Sequence, residues 1–225
     1  MCTKKWFLCL LAVLFLGEQA MAEDKTTFVI DIGTMGAGAA YVLPVNEHIN
    51  ARLGLHGWQY SETVTKSGVR YDADLELKST SAIADFHPLR GLLRLSGGIV
   101  FNGNNFSLTG QPSAGTFNFN GVLYPAAQVG SATGSVDFNT LSPYLGIGLG
   151  NSPKGHHSLS IALDLGAVYQ GSPNVGLSVS CGNGLPASIC SKLQSDAAAE
   201  ARQLEDSVKN YQWWPVIALG IAFRF

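Results

Sequence analysis

The last fifteen residues, Tyr211 to Phe225, read YQWWPVIALGIAFRF. Side chains alternate between two faces in an extended strand. Phe225, Phe223, Ile221, Leu219, Ile217 and Trp213 then share one face, and Arg224, Ala222, Gly220, Ala218, Val216 and Trp214 share the other. The first face is bulky and apolar; the second is mostly small until it reaches a charge at its end. This is the pattern of a strand with lipid outside and a narrow lumen inside, with aromatics near both ends where the bilayer interfaces fall.

The strand closes the chain, and its last residue is Phe225. In this it resembles the Gram-negative outer-membrane β-barrel proteins, and in the order of its turns and loops it is similar to the small OmpW and OmpA-type barrels. The resemblance implies an all-β chain, a transmembrane antiparallel up-and-down barrel set in outer-membrane lipid and lipopolysaccharide. It also implies that the barrel-assembly machinery reads Trp213, Ile217, Leu219, Ile221, Phe223 and Phe225 as its signal. It says much less about biochemical role.

The N-terminus points to the same compartment. Lys4 and Lys5 precede an apolar run from Trp6 to Leu16, and Ala20-Met21-Ala22 supplies a small-residue cleavage pattern. Residues 1–22 therefore read as a signal peptide and 23–225 as one barrel domain. The run is too short for a helix that crosses a bilayer, which needs about 20 apolar residues. The 14 Lys and Arg against 16 Asp and Glu, with no basic patch interleaved with aromatics, give no case for nucleic acid. Of four cysteines, Cys2 and Cys9 leave with the signal peptide. Cys181 and Cys190 remain, a disulfide candidate in an exported protein.

Along the chain, Asp24–Ile32 and Ala37–Leu43 form strands about a turn at Gly33–Gly36, and Ile49–Tyr60 alternates clearly. Tyr71–Phe86 reads with Tyr71, Ala73, Leu75 and Leu77 toward lipid, and with a bulge near Ser79–Ser81. Leu92–Phe101, Leu141–Gly150 and Ser158–Gln170 follow. Short connections at Pro44–His48, His87–Gly91 and Asn151–His156 alternate with long ones at Ser61–Arg70, Asn102–Thr140 and Gly171–Asn210. Outer-membrane barrels alternate in this way, with short periplasmic turns and long extracellular loops. Eight strands are expected, or ten if Thr116–Leu123 and its neighbours enter the membrane as a hairpin. The last long loop should carry one amphipathic helix, Ser188–Lys209.

A soluble lipocalin-like barrel would turn the bulky face inward and needs long polar side chains outside. Gly, Ala and Ser on the second face argue against it. The inward positions then include Asp31, Arg52, Glu76, Lys78, Arg94 and Asp164, three acids and three bases. Confined to so narrow a lumen, these charges should pair, because an unpaired buried charge is costly. The expected function is a closed surface-interaction barrel displaying long loops; the alternative is a narrow conduit for small or hydrophobic solutes. Catalytic chemistry has thin support. His56 with Trp58 and Tyr60 could begin a hydrolase-like site, but no serine or acid partner can be assigned. His156-His157 lack a third metal ligand, and Gly146 to Gly150 belongs to a strand rather than a phosphate loop. No cofactor or metal is expected.

Overall fold

The computed structural model describes residues 26–66, 69–112, 115–152 and 158–225. The expected signal peptide and the His156-His157 pair lie outside the described residues. Eight antiparallel strands close into a barrel: β1 (Thr27–Gly33), β2 (Gly36–Pro44), β3 (Ile49–Lys66), β4 (Val69–Phe86), β5 (Leu93–Asn102), β10 (Leu141–Leu149), β11 (Leu159–Tyr169) and β13 (Trp213–Arg224). Around the wall their order is β4, β3, β2, β1, β13, β11, β10, β5, with β5 pairing back onto β4. The first and last strands thus meet, Thr27 opposite Arg224 and Gly33 opposite Ala218. Gly36, at a φ of +99°, makes the tight turn between β1 and β2.

The bulky faces point outward. Ile161 and Leu145 are 70% and 69% exposed, and Trp213, Ile217, Leu219, Ile221, Phe223 and Phe225 of the terminal stretch are all exposed. Val216 and Ala222, on the other face of β13, are buried. A continuous apolar belt of this size around a closed barrel is a surface for lipid rather than water. Tyr169 and Trp213 pack ring to ring at 4.9 Å where β11 and β13 reach the long-loop end.

Above the belt one side of the wall keeps rising. Of the stretch Ser61–Arg70, expected as a loop, Ser61–Lys66 and Val69–Arg70 instead continue β3 and β4 in unbroken register, Ile49 opposite Phe86 through Lys66 opposite Val69. Alternating Thr and Val favour the pleat, and nothing at this height requires a lipid face. The Asn102–Thr140 stretch supplies β6 (Asn105–Pro112) and β9 (Val129–Asp137), which prolong the lines of β5 and β10 beside β4. β12 (Asn174–Cys181) adds beyond β9. A separate hairpin, β7 (Thr116–Phe119) with β8 (Val122–Pro125), stays with this upper sheet, so the barrel has eight strands rather than ten.

The same register overturns the bulge expected at Ser79–Ser81. Odd-numbered residues of β4 face inward along its whole length: Ser79, Ser81 and Asp85 in the barrel, Val69 in the upper core. Leu75 and Leu77 therefore turn inward above the membrane, and Glu76 and Lys78 are exposed on the outer face. The hydrophobic face of a strand follows lipid only within the bilayer; above it, that face follows whatever core is built there.

The upper core gathers Val69, Val129, Ala132 and Val179 of the sheet, Phe117, Phe119 and Tyr124 of the hairpin, and Leu193 and Ala197 of α1 (Ala187–Val208). The helix matches the expected amphipathic segment within a residue at each end. Tyr124 donates a 2.5 Å hydrogen bond to Asp196, which also receives Lys192 at 2.7 Å. These bonds, Lys192 first, hold the Asp196 carboxyl below its usual range. Cys181, at the end of β12, is bonded to Cys190 in the first turn of the helix. A short closed loop of this kind contributes about 2.5 kcal/mol to the order of the segment it ties down. Replacing both cysteines by serine should leave the barrel folded, with unchanged heat-modifiable mobility on gels. Proteolytic cleavage between Cys181 and Tyr211 should become faster.

Candidate functional site

The lumen is the most chemically built part of the barrel. Arg52 of β3 grips Asp85 of β4 through two hydrogen bonds, 2.9 and 3.1 Å, and reaches Asp164 of β11 at 3.2 and 3.3 Å. Arg94 of β5 donates two 2.8 Å bonds to Asp164 and places its Nε 3.6 Å from Asp85. The four charges form a closed alternating ring, Arg52, Asp85, Arg94, Asp164, with no net charge. Arg94 and Asp85 are fully buried. Arg94 also donates to the carbonyls of Leu149 and Gly150, and Ser96 donates to Asp85. Every such charge-assisted bond offsets part of the cost of taking an ion out of water.

Glycine makes the ring sterically possible. Arg94, Gly148 and Asp164 lie in one row across β5, β10 and β11. Two strand spacings, about 9.6 Å, separate the outer pair, so the guanidinium has to pass over the middle position. A Cβ on Gly148 would sit 2.8 Å from Arg94 Cζ and 2.8 Å from the Leu163 carbonyl oxygen. The device recurs on the other side of the lumen. Asp31, Gly38 and His56 share a row across β1, β2 and β3, and His56 Nε2 lies 3.0 Å from Asp31. A Cβ on Gly38 would collide with the His56 ring. Tyr144 lies over Gly146 and Gly166 in the same manner.

Apolar layers complete the filling. Val100, Tyr144, Val168 and Val216, joined by Met35, Ile83 and Trp214, pack toward the long-loop end. Val29, Ala40, Val42, Ala162 and Ala222 pack against the wall of β1, β2, β11 and β13. Small cavities remain among the described residues. One of about 30 Å³ lies among Asp31, Arg52, His56, Tyr144 and Asp164; another, about 10 Å³, lies among Ser79, Asn102, Gln170 and Trp214. Their volumes correspond to the space of a water molecule or two. At the short-turn end His87 is buried, its Nε2 3.3 Å from the Asn50 amide nitrogen and its Nδ1 2.9 Å from the Gly91 carbonyl. Nδ1–H then donates to Gly91 and Nε2 accepts from Asn50, the arrangement of a neutral ring. Burial pushes the His87 imidazole below its ordinary value.

Of the six charges expected inside, the lumen thus holds Asp31, Arg52, Arg94 and Asp164, the last three in one network. Glu76 and Lys78 do not join it. Asp85, which sequence reasoning missed, takes their place. Its signal was the outward run Ala82, Ala84 and Phe86, which sets the phase of the lower half of β4. His56 turns into the lumen toward Asp31 while Trp58 and Tyr60 stand exposed above, so the three do not assemble as one site. Among the described residues no group of three metal-ligating side chains gathers.

With that geometry in view, three solved structures are informative to different degrees. CarO of Acinetobacter baumannii is 26% identical over 88% of this chain and 97% of its own, with a TM-score of 0.56. CarO2 of the same organism is 22% identical over 90% and 99%, also at 0.56. The fold is that of a small OmpW- and OmpA-like outer-membrane barrel. A major outer membrane protein of Thermus thermophilus aligns over 90% of the chain at 17% identity and a TM-score of 0.44, too distant to carry an argument. No family model and no curated protein matches the sequence. In this outer-membrane barrel the charged ring and its glycines fill the lumen at the level of the bilayer.

Gly148→Ala should force the Arg94 guanidinium off Asp164 and lower the urea midpoint of the folded barrel, a loss of about 1–3 kcal/mol. Gly134→Ala, where the nearest atoms are 3.9 Å away, serves as control. The His87 seal is pH-dependent with a defined sign. Its folded pKa lies below the unfolded one, so its contribution is complete above about pH 6.5 and is lost as pH falls through the folded value. The urea midpoint should drop between pH 7 and pH 5, and His87→Gln should flatten that drop.

Proposed function

We propose that this protein is a closed outer-membrane barrel whose role is to hold an interaction surface outside the cell, without catalysis and without a steady pore. The filled lumen carries the proposal: the ring of Arg52, Asp85, Arg94 and Asp164 spans it, and the cavities described beside the ring and above it are small. Above it, the tall sheet, the hairpin and the tethered helix α1 form a built structure with its own core. A rigid barrel that displays such an element is suited to meeting a partner. In this reading residues 1–22 direct export, the terminal strand is read by the barrel-assembly machinery, and lipid and lipopolysaccharide surround the belt.

The conduit reading has one observation in its favour. Both cavities touch Met35 and Val100, so they stack toward the mouth with a thin apolar septum between them. Transport would require that septum and the charged ring to part.

Planar-bilayer recording of the refolded mature chain, with heat-modifiable mobility as proof of folding, separates the two readings. The expected result is folded protein with no steady conductance. Reproducible small channels that change when Arg52, Arg94 or Asp164 is neutralised would overturn the closed reading.

A further inference from the structure

The wall of the barrel has a step. Pairing between β2 and β3 ends at Ala37 opposite Gly57, while β3 continues to Lys66 with β4 as its neighbour on the other side. The segment from Trp58 to Lys66, about 30 Å at 3.3 Å per residue, therefore presents one edge of main-chain N–H and C=O groups that no strand among the described residues pairs with. From Gly57 to Thr65 every residue is exposed. The opposite margin of the upper sheet differs, because β12 carries α1 against it through Leu177, Val179, Leu193 and the Cys181–Cys190 bond.

We propose that this edge of β3 binds an extended segment of another protein by strand addition. The inference rests on the interaction-barrel reading and names the form its partner takes. Two features of the edge define the partner. Trp58, Tyr60 and Val64, each about half exposed, project from the inner face, and Gln59, Ser61 and Thr63 from the outer. An added strand meets these rows with period two, so it should alternate apolar and polar residues. Glu62 breaks the apolar row; it is exposed, and Tyr60 donates to its carboxylate at 2.8 Å. A cross-strand neighbour at this point should be basic. On the outer face, one strand away, Asp74 adds to the same preference, whereas Asp72 is paired with Arg70 at 3.1 Å.

A second copy of this chain fits poorly. Two copies in one bilayer are related by an axis along the membrane normal, which runs roughly with the rising strands. Such an axis cannot place two β3 edges antiparallel, and pairing centred on the edge would set Glu62 beside its own counterpart.

The test uses the refolded full mature protein in detergent micelles and a labelled decapeptide alternating valine and threonine, with one central lysine in the valine row. Saturable binding by fluorescence anisotropy is expected, with empty micelles as the blank. A peptide of the same sequence N-methylated on alternate residues along its binding edge should lose binding, because its side chains remain but its donors do not. Replacing its lysine by glutamate should weaken binding roughly fivefold, and Glu62→Lys in the protein should reverse that preference. Equal binding of the N-methylated peptide, absence of saturable binding, or a concentration-dependent dimer that excludes the peptide would overturn the inference. Failure here with a silent bilayer leaves the closed barrel standing, whereas steady channels with peptide binding would remove the closed reading alone.

Discussion

Two arginines and two aspartates held in an alternating ring are what the interior of this barrel depends on. An eight-stranded barrel has a lumen just wide enough for side chains, and ions placed there lose most of their hydration. Leaving one of them alone in such a site is expected to cost about 3–5 kcal/mol. The ring avoids this by giving Arg52, Asp85, Arg94 and Asp164 two charged neighbours each. Carbonyls of Leu149 and Gly150 take up a further part of Arg94, and the hydroxyl of Ser96 occupies Asp85.

Such a ring places a demand on strands that contribute no charge. Partners two strands apart meet only if the intervening residue has no side chain, and Gly148 and Gly38 stand at those positions. Their role is close passage of a side chain rather than unusual backbone geometry. The small face of each strand is thus a record of where long side chains cross the lumen. Closure of the barrel and closure of the lumen are coupled: pairing β10 with β11 on one side and β5 on the other sets Asp164 within reach of Arg94.

Above the membrane the constraint changes. With water on both sides there is no lipid to hold one face apolar, and the five rising strands build a second core on the face that continues the lumen. The hairpin and α1 cover part of that face, and the disulfide ties the helix to β12. β1, β2 and β13 stop lower, which leaves the upper edge of β3 without a neighbouring strand on that side among the described residues. The asymmetry of the wall separates a region made for lipid from a region made for a partner.

The terminal strand and the internal alternations determined by themselves that this is a membrane barrel, that bulky residues face outward, and that Arg52, Arg94, Asp31 and Asp164 face inward. Period-two patterning is local, and within the bilayer lipid enforces it. The helix and the Cys181–Cys190 bond were legible for similarly local reasons. Only the tertiary structure decided the rest. Leu75 and Leu77 look lipid-facing in isolation, yet they lie above the bilayer and turn inward, which exchanges Glu76 and Lys78 for Asp85. The upper sheet was equally hidden, since its polar strands read as loops until their neighbours are known. Which charges pair, and over which glycines, depends on strand register around a closed wall, a quantity no stretch of the chain contains.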